Sequence, residues 1–298
     1  MRYTPIVIRW AVSGIVLFAC LGAKQPTFPQ GRVQLAPREK AMLDGYLRKA
    51  GESLLRNADD LLAVAAGDVT FVQNEVKGLD ASRRYADGVT LLHVAAIFGR
   101  TSIVQHLLNE GADINAQQRT NGETPLALAI VTKHLDTALL LLERGADAEL
   151  RMQDGVTAVH LAAMIDSTEI LQALKQRNVS LSNGGDRSQT PLHIAAASGS
   201  EKAIRFLVEQ KVFIDDGDWF GDTPLHAAAR AQETDAAKLL LELGANPEIA
   251  NRLGRTPLHI AAYSGNLDLA KALVEGGARV NRGDIDDNCT PLILAAEA

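Results

Sequence analysis

Five of the seven histidines, His93, His160, His193, His226 and His259, recur at an almost equal step, with one place skipped after His93. Imidazoles in such a series are the raw material of a metal ladder or a proton relay. The step argues for a structural role instead. One copy per structural unit places successive rings on neighbouring helices, about 8–10 Å apart, whereas one ion needs two nitrogens at about 2 Å each. His106 and His134 stand outside the series with no ligand set beside them and are expected to face solvent. Cys20 and Cys289 belong to no Cys-x-x-Cys pair, so neither a zinc site nor a redox pair is signalled. Cys289 has no neighbouring His or acid to activate a thiolate and is expected to be an exposed loop residue. Two stretches, Asp215, Asp216, Asp218 and Asp222, then Asp284, Asp286 and Asp287, are rich in carboxylates. Neither keeps the alternating ligands and closing Glu of a calcium loop, so both are expected to be solvated surface charge. With no Ser-His-Asp order, phosphate-binding loop or paired acids, the sequence offers no catalytic residue, no metal site and no cofactor. It does not read as an enzyme.

The elements that must position these residues are legible from composition and period. The chain has 298 residues, 47% hydrophobic but only 4% aromatic, so its core is built from Ala, Leu, Val and Ile and suits small, closely approaching helices. Thirty Lys and Arg against 36 Asp and Glu leave a net charge of −6, which lacks the basic footprint of a nucleic-acid partner.

Residues 1–23 carry Arg2 and Arg9, no acid, and an apolar run from Trp10 to Ala23, the shape of an export signal or membrane anchor. Leu17-Phe18-Ala19-Cys20 resembles the lipobox of bacterial lipoproteins, with Phe18 where a small residue is preferred. Lipidation at Cys20, ordinary cleavage near Gly22 or Ala23, and an uncleaved anchor starting at Ile6 all fit this segment. Exported, periplasmic or envelope localisation is therefore expected, with possible membrane attachment through the N-terminus. Residues 24–37, with Pro26, Pro29 and Pro37, read as a tether. Residues 38–57 read as a helix with an apolar stripe of Met42, Leu43, Leu47, Ala50, Leu54 and Leu55.

From residue 58 to 298 one period rules. Thr90, Thr124, Thr157, Thr190, Thr223, Thr256 and Thr290 recur at a nearly constant step of about 33 positions. Around them returns a phrase such as Gln189-Thr190-Pro191-Leu192-His193-Ile194-Ala195-Ala196, and Gly111-Ala112-Asp113 or Gly145-Ala146-Asp147 closes each unit. Thr is a good N-cap and Pro a good first helical residue, so a helix starts at each Thr. The paired alanines admit a close neighbour, and the closing Gly ends the second helix in the left-handed region. Lys133, Asp166 and Gln232 replace Gly between the two helices, Asn178 and Lys211 replace it after them, and Ala127 and Ile293 replace His. The junction around Asn178 and Lys211 is expected to be the softest. Leu61 to Val76 reads as an amino-terminal cap, and the unit opened by Thr290 holds only one helix.

These phrases resemble the ankyrin-repeat family over residues 58–298. The resemblance implies an all-α solenoid of stacked helix-turn-helix repeats with short β-hairpin fingers, six full repeats, and His bonds from each helix start to adjacent loops. It also implies noncatalytic binding of another protein through the finger tips and inner helical positions. Those surfaces nominate Trp219, Phe220, Asp222, Arg252, Leu253 and Arg255 on the fingers, and Ile97, Phe98, Val131, Met164, Ile165 and Tyr263 on the inner helices. An accessory protein that holds or protects an envelope enzyme or transporter, or a structural envelope protein, are the competing readings.

Overall fold

The computed structural model describes residues 58–75, 81–185, 187–285 and 288–297. The expected signal, tether and helix over 1–57, Cys20 among them, lie outside these residues, as do Val76, Asp186, Asp286 and Asp287. The chain divides into two compact units, one holding the described residues up to Gln153 and the other those from Asp154. Among the described residues there are fifteen α-helices and no strand, and no helix is long and apolar enough to cross a membrane.

The first unit contains α1 (Ala58–Ala66), α2 (Val69–Glu75), α3 (Leu91–Ile97), α4 (Thr101–Asn109), α5 (Pro125–Val131) and α6 (Leu135–Glu143). The odd-numbered helices α1, α3 and α5 pack as one layer and α2, α4 and α6 as a second. The layers meet through small and branched side chains such as Ala95, Ala96, Ile103, Leu107, Ala129, Ala138 and Leu141, all fully buried. Absence of bulk at the alanines lets the helices approach closely, so many small dispersion contacts replace a few aromatic ones.

The second unit repeats the plan with α7 (Ala158–Met164), α8 (Thr168–Gln176), α9 (Pro191–Ala197), α10 (Glu201–Glu209), α11 (Pro224–Ala231), α12 (Thr234–Glu242), α13 (Pro257–Tyr263), α14 (Leu267–Glu275) and α15 (Pro291–Glu297). The inner layer runs α7, α9, α11, α13, α15 and the outer α8, α10, α12, α14.

Backbone conformation follows the departures from the repeat. Gly111, Gly145, Gly244 and Gly277 end the outer helices at φ between 86° and 100°, while Asn178 and Lys211 take the same place at 60° and 67°. Lys133, Asp166 and Gln232 hold φ of 61–63° between the paired helices, next to 62–70° for Gly99, Gly199 and Gly265. A side chain in this region is strained by contact of Cβ with its own carbonyl. Asp166 offsets that strain, because its Oδ1 accepts the Ala203 N–H at 2.8 Å and so caps the start of α10.

The fingers are tight turns rather than strands. Six of them close on a short backbone bond: Tyr85 N–H to Val89 O at 2.7 Å, Gln118 to Glu123 at 3.0 Å, Gly185 to Gln189 at 3.0 Å, Asp218 to Asp222 at 2.9 Å, Asn251 to Arg255 at 2.9 Å and Asp284 to Cys289 at 3.0 Å. The expected β-hairpins are thus hairpin turns too short to form a ladder.

Candidate functional site

The histidine series holds the fingers in place. In each of the five, Nε2 lies 2.8–3.2 Å from a carbonyl oxygen of the following finger: Glu123, Gln189, Asp222, Arg255 and Cys289. A carbonyl oxygen only accepts, so Nε2 carries the proton and Nδ1 is the acceptor. Nδ1 receives the N–H of the Thr three residues earlier, at 3.1–3.3 Å. Both nitrogens are committed, which leaves no lone pair for a metal. Among the described residues no three His, Cys, Asp or Glu gather as a metal site. Burial disfavours the imidazolium, lowering His93 to about 4 and pulling His193, His226 and His259 below the usual range.

His106 and His134 are half-buried rather than solvent-facing. The His134 ring lies over Gly99, where an added Cβ would sit 2.4 Å from Nδ1. Its place against the neighbouring helix pair, which spacing along one helix does not reveal, explains the correction. Cys289 is half-buried too, its N–H donating to Asp284 Oδ1 at 3.0 Å.

The carboxylates correct a second expectation. Asp218, Asp222 and Asp284 are buried, not solvated. Asp218 Oδ1 accepts the N–H groups of Phe220 at 2.8 Å and Asp222 at 2.9 Å. One repeat further along the chain, Asn251 Oδ1 accepts those of Leu253 at 3.0 Å and Arg255 at 3.1 Å. A short Asx side chain folding onto its own turn satisfies backbone donors that the hairpin otherwise strands. Side chains then link one finger to the next. Gln189 Nε2 donates to Asp218 Oδ2 at 3.4 Å, Asn251 Nδ2 to Asp222 Oδ1 at 2.7 Å, and Arg255 Nε to Asp284 Oδ2 at 3.1 Å. Asp222 also pairs with Arg230. Asp222 is therefore a structural acceptor, and Arg255 is half-buried in an ion pair.

With the acids turned inward, other groups occupy the tips. Trp219 is 60% exposed, Phe220 43%, Leu253 49% and Ile285 69%; Arg187 and Arg252 are exposed as well. Backbone bonds keep these tips in register: Trp219 N–H to Arg187 O at 2.9 Å, Arg252 N–H to Phe220 O at 2.9 Å, Ile285 N–H to Leu253 O at 3.1 Å. Gly254 permits the last crossing, since a Cβ there would meet Ile285 N at 2.6 Å. Sequence reasoning misses Ile285, although it stands one repeat step after Arg252 and two after Trp219.

The inner positions divide. Tyr263 is 62% exposed, and Val131, Met164 and Ile165 are half-buried. Ile97 and Phe98 are each only 6% exposed, so they belong to the packed interior and not to an open surface. Two large apolar groups at the end of a helix gain more from burial than from facing water.

The chain matches a family model described as ankyrin repeats, in three copies, over residues 61–152, 144–218 and 225–298. It belongs to the ankyrin-repeat family. Its helices form an all-α ankyrin solenoid, and the solved ankyrin repeat domain of human ASB11 is similar with TM-score 0.62 and 29% identity, covering 68% of this chain and 90% of that one. The ankyrin repeat domain of Bcl-3 matches with TM-score 0.60 and 31% identity, covering 70% of this chain and 95% of that one. By sequence the chain is 34% identical to human BCL-6 corepressor-like protein 1 over 130 residues, 44% of this chain and 7% of that protein. It is 34% identical to the palmitoyltransferase Hip14 of Drosophila melanogaster over 104 residues, 35% of this chain and 16% of that protein. The nuclear factor NF-kappa-B p105 subunit of Gallus gallus is 31% identical over 134 residues, 43% of this chain and 13% of that protein. The chain thus spans only a small part of the length of these curated relatives, and the match to the palmitoyltransferase concerns its repeats alone. Ankyrin repeats mark a protein–protein interaction scaffold.

Proposed function

We propose that this chain is a noncatalytic scaffold of the cell envelope that binds another protein through the finger tips of its second unit. The carrying observation is the exposure of Trp219 on a turn whose own carboxylates, Asp218 and Asp222, are buried. The stack gains nothing from a ring in water, whereas a partner pocket would recover about 2 kcal/mol or more from such an anchor. The envelope part of the reading rests on Arg2, Arg9 and the apolar run to Ala23, with Cys20 as the attachment point.

The test is capture from an envelope extract by the full chain, with and without the pair Trp219→Ala and Phe220→Ala. Partner affinity should fall at least tenfold, about 1.4 kcal/mol, with the melting temperature nearly unchanged. A large loss of Tm with capture intact would instead make the two rings a local core between fingers. Cys20→Ala should release the protein from the membrane fraction. Retention, together with blank acyl labelling of the parent, would point to an anchor beginning at Ile6.

A further inference from the structure

The chain holds two Asn-Gly pairs, Asn121-Gly122 and Asn183-Gly184. In such a pair the glycine amide nitrogen can close on the side-chain carbonyl carbon of the asparagine, because the following residue has no Cβ to block the approach. Reaction asks two things of the fold: a glycine N–H that is not already donated, and a backbone free to bring nitrogen and carbon into line.

The structure treats the two pairs differently. Asn121-Gly122 lies inside the turn of a finger, where Gly122 holds φ at 70° and its N–H donates to Gln118 O at 3.1 Å. A matching bond recurs in other fingers, from Gly88 to Tyr85 O at 3.0 Å, from Gly221 to Asp218 O at 2.8 Å and from Gly254 to Asn251 O at 2.9 Å. It belongs to the turn design. Neighbouring groups clamp this turn further, since Asn121 O accepts the Gln153 N–H at 2.9 Å and Gly122 O accepts Gln117 Nε2 at 3.1 Å. Attack at Asn121 therefore has to wait for local opening of the turn.

Asn183-Gly184 lies before its turn, between α8 and the finger closed by Gly185 and Gln189. Asn183 is exposed. Among the described residues, neither its side chain nor the Gly184 N–H takes part in a hydrogen bond. This finger also has no slack for an added backbone atom. A Cβ on Gly184 would lie 2.8 Å from both the Cα and the carbonyl carbon of Ser188, so the two arms already touch. Between them, Arg187 O accepts the Trp219 N–H at 2.9 Å.

We propose that Asn183 is a site of spontaneous deamidation in the folded protein, that its turn protects Asn121 from the same reaction, and that isoaspartate at 183 loosens the bond between the Arg187 and Trp219 fingers. Solvent water is the co-reactant. Gly184 N bonds to Asn183 Cγ and gives up its proton, the Cγ–Nδ2 bond breaks, and ammonia leaves behind a five-membered succinimide. Water then adds to one of the two ring carbonyl carbons. Cleavage of the bond from Cγ to nitrogen gives aspartate, whereas cleavage at the main-chain carbonyl gives isoaspartate, whose main chain runs through Cβ and Cγ and is one atom longer. The net change is one water consumed, one ammonia released and one amide replaced by a carboxylate, with no oxidation or reduction.

Ageing the full chain in mildly alkaline buffer, followed by trypsin and mass spectrometry, tests this, with the chain in urea as reference. In the folded chain the peptide holding Asn183 should convert at least tenfold faster than the one holding Asn121, with isoaspartate as the main product. In urea the two should convert at similar rates. Amide exchange around Trp219 should quicken at least fivefold in the aged chain. It should stay slow in aged Asn183→Gln, whose longer side chain would have to close a six-membered ring, and in fresh Asn183→Asp, which adds the charge without the extra atom. Equal conversion of the two sites in the folded chain, the same preference kept in urea, or unchanged Trp219 exchange once Asn183 is fully converted overturns the proposal.

Discussion

The fingers of the two units share one turn design and use it in opposite ways. In the first unit, Asp87 Oδ1 accepts both the N–H of Thr120 at 2.9 Å and its hydroxyl at 2.7 Å, and Arg119 N–H reaches Asp87 O at 2.8 Å. The tips there are polar and spend their donors and acceptors on each other. In the second unit, Asp218 and Asn251 spend theirs on their own turns, and the positions pointing away carry Trp219, Leu253, Arg252 and Ile285. Inward acids make outward rings possible, because the turn no longer needs its tip side chains for hydrogen bonding. On this difference rests the proposal that the tips of the second unit are the ones that meet a partner.

The largest expected effect is acid sensitivity, and it should fall unevenly on the two units. Burial holds His93 at about 4 in the folded chain, and His193, His226 and His259 are lowered as well, against about 6.5 when unfolded. Below 6.5 the unfolded chain binds protons that the folded chain refuses. Stability is therefore complete above that pH and is lost as pH falls, by about 1.4 kcal/mol per pH unit for His93 down to its folded value, with losses in the same direction at the other three. One of these four histidines lies in the first unit and three lie in the second. Hydrogen exchange at pH 7 and pH 5 should show protection collapsing first from Ala158 onward, and equal loss in both units would break the comparison.

The next effect separates the two uses of the turn acid. Asp218→Ala leaves the buried N–H of Asp222 and the part-buried N–H of Phe220 without their acceptor, which should cost about 2 kcal/mol. Asp87→Ala removes one exposed acceptor from Thr120, whose groups then turn to water, and should cost about 0.5 kcal/mol. Chemical denaturation of the two variants checks the ratio. Comparable losses would mean that inward and outward acids serve the turn alike.

Much of this was open to reading from the repeat alone. The Thr phrase fixes where each inner helix begins, and a residue standing where Gly recurs must accept its backbone angle, as Lys133, Asp166, Asn178, Lys211 and Gln232 do. What period cannot convey is where a side chain points once its backbone is placed. Asp218, Asp222 and Asp284 look like solvated charge in a polar loop, yet backbone donors within the turn draw in Asp218 and Asp284, and the side chains of Asn251 and Arg230 hold Asp222. The signal was the equal spacing of Asp218, Asn251 and Asp284, one Asx per finger, a pattern that free surface charge has no reason to keep. Ile97 and Phe98 were misplaced for a related reason. Their repeat position marks a helix end and says nothing of what covers it.

The smallest effect sharpens the comparison at the join between conformational strain and binding. Lys211 holds φ 67° where Gly244 and Gly277 relax to 97° and 100°. It lies in the second unit, two residues after Glu209 ends α10. Its strain is conformational, since at the equivalent Gly111, Gly145, Gly244 and Gly277 an added Cβ would meet nothing within 4 Å. Lys211→Gly relieves the contact of Cβ with the backbone, worth about 1–2 kcal/mol, and gives back part of that through the greater freedom of glycine when unfolded. A net gain of about 0.5–1 kcal/mol should remain, visible as a raised Tm and as added exchange protection in α10. The Trp219 finger should bind as before, because the substitution leaves every finger bond intact. A loss of affinity with that gain in stability would show that strain at Lys211 is transmitted to the tips, and the fingers would then have to be regarded as coupled to the outer helices rather than carried passively by them.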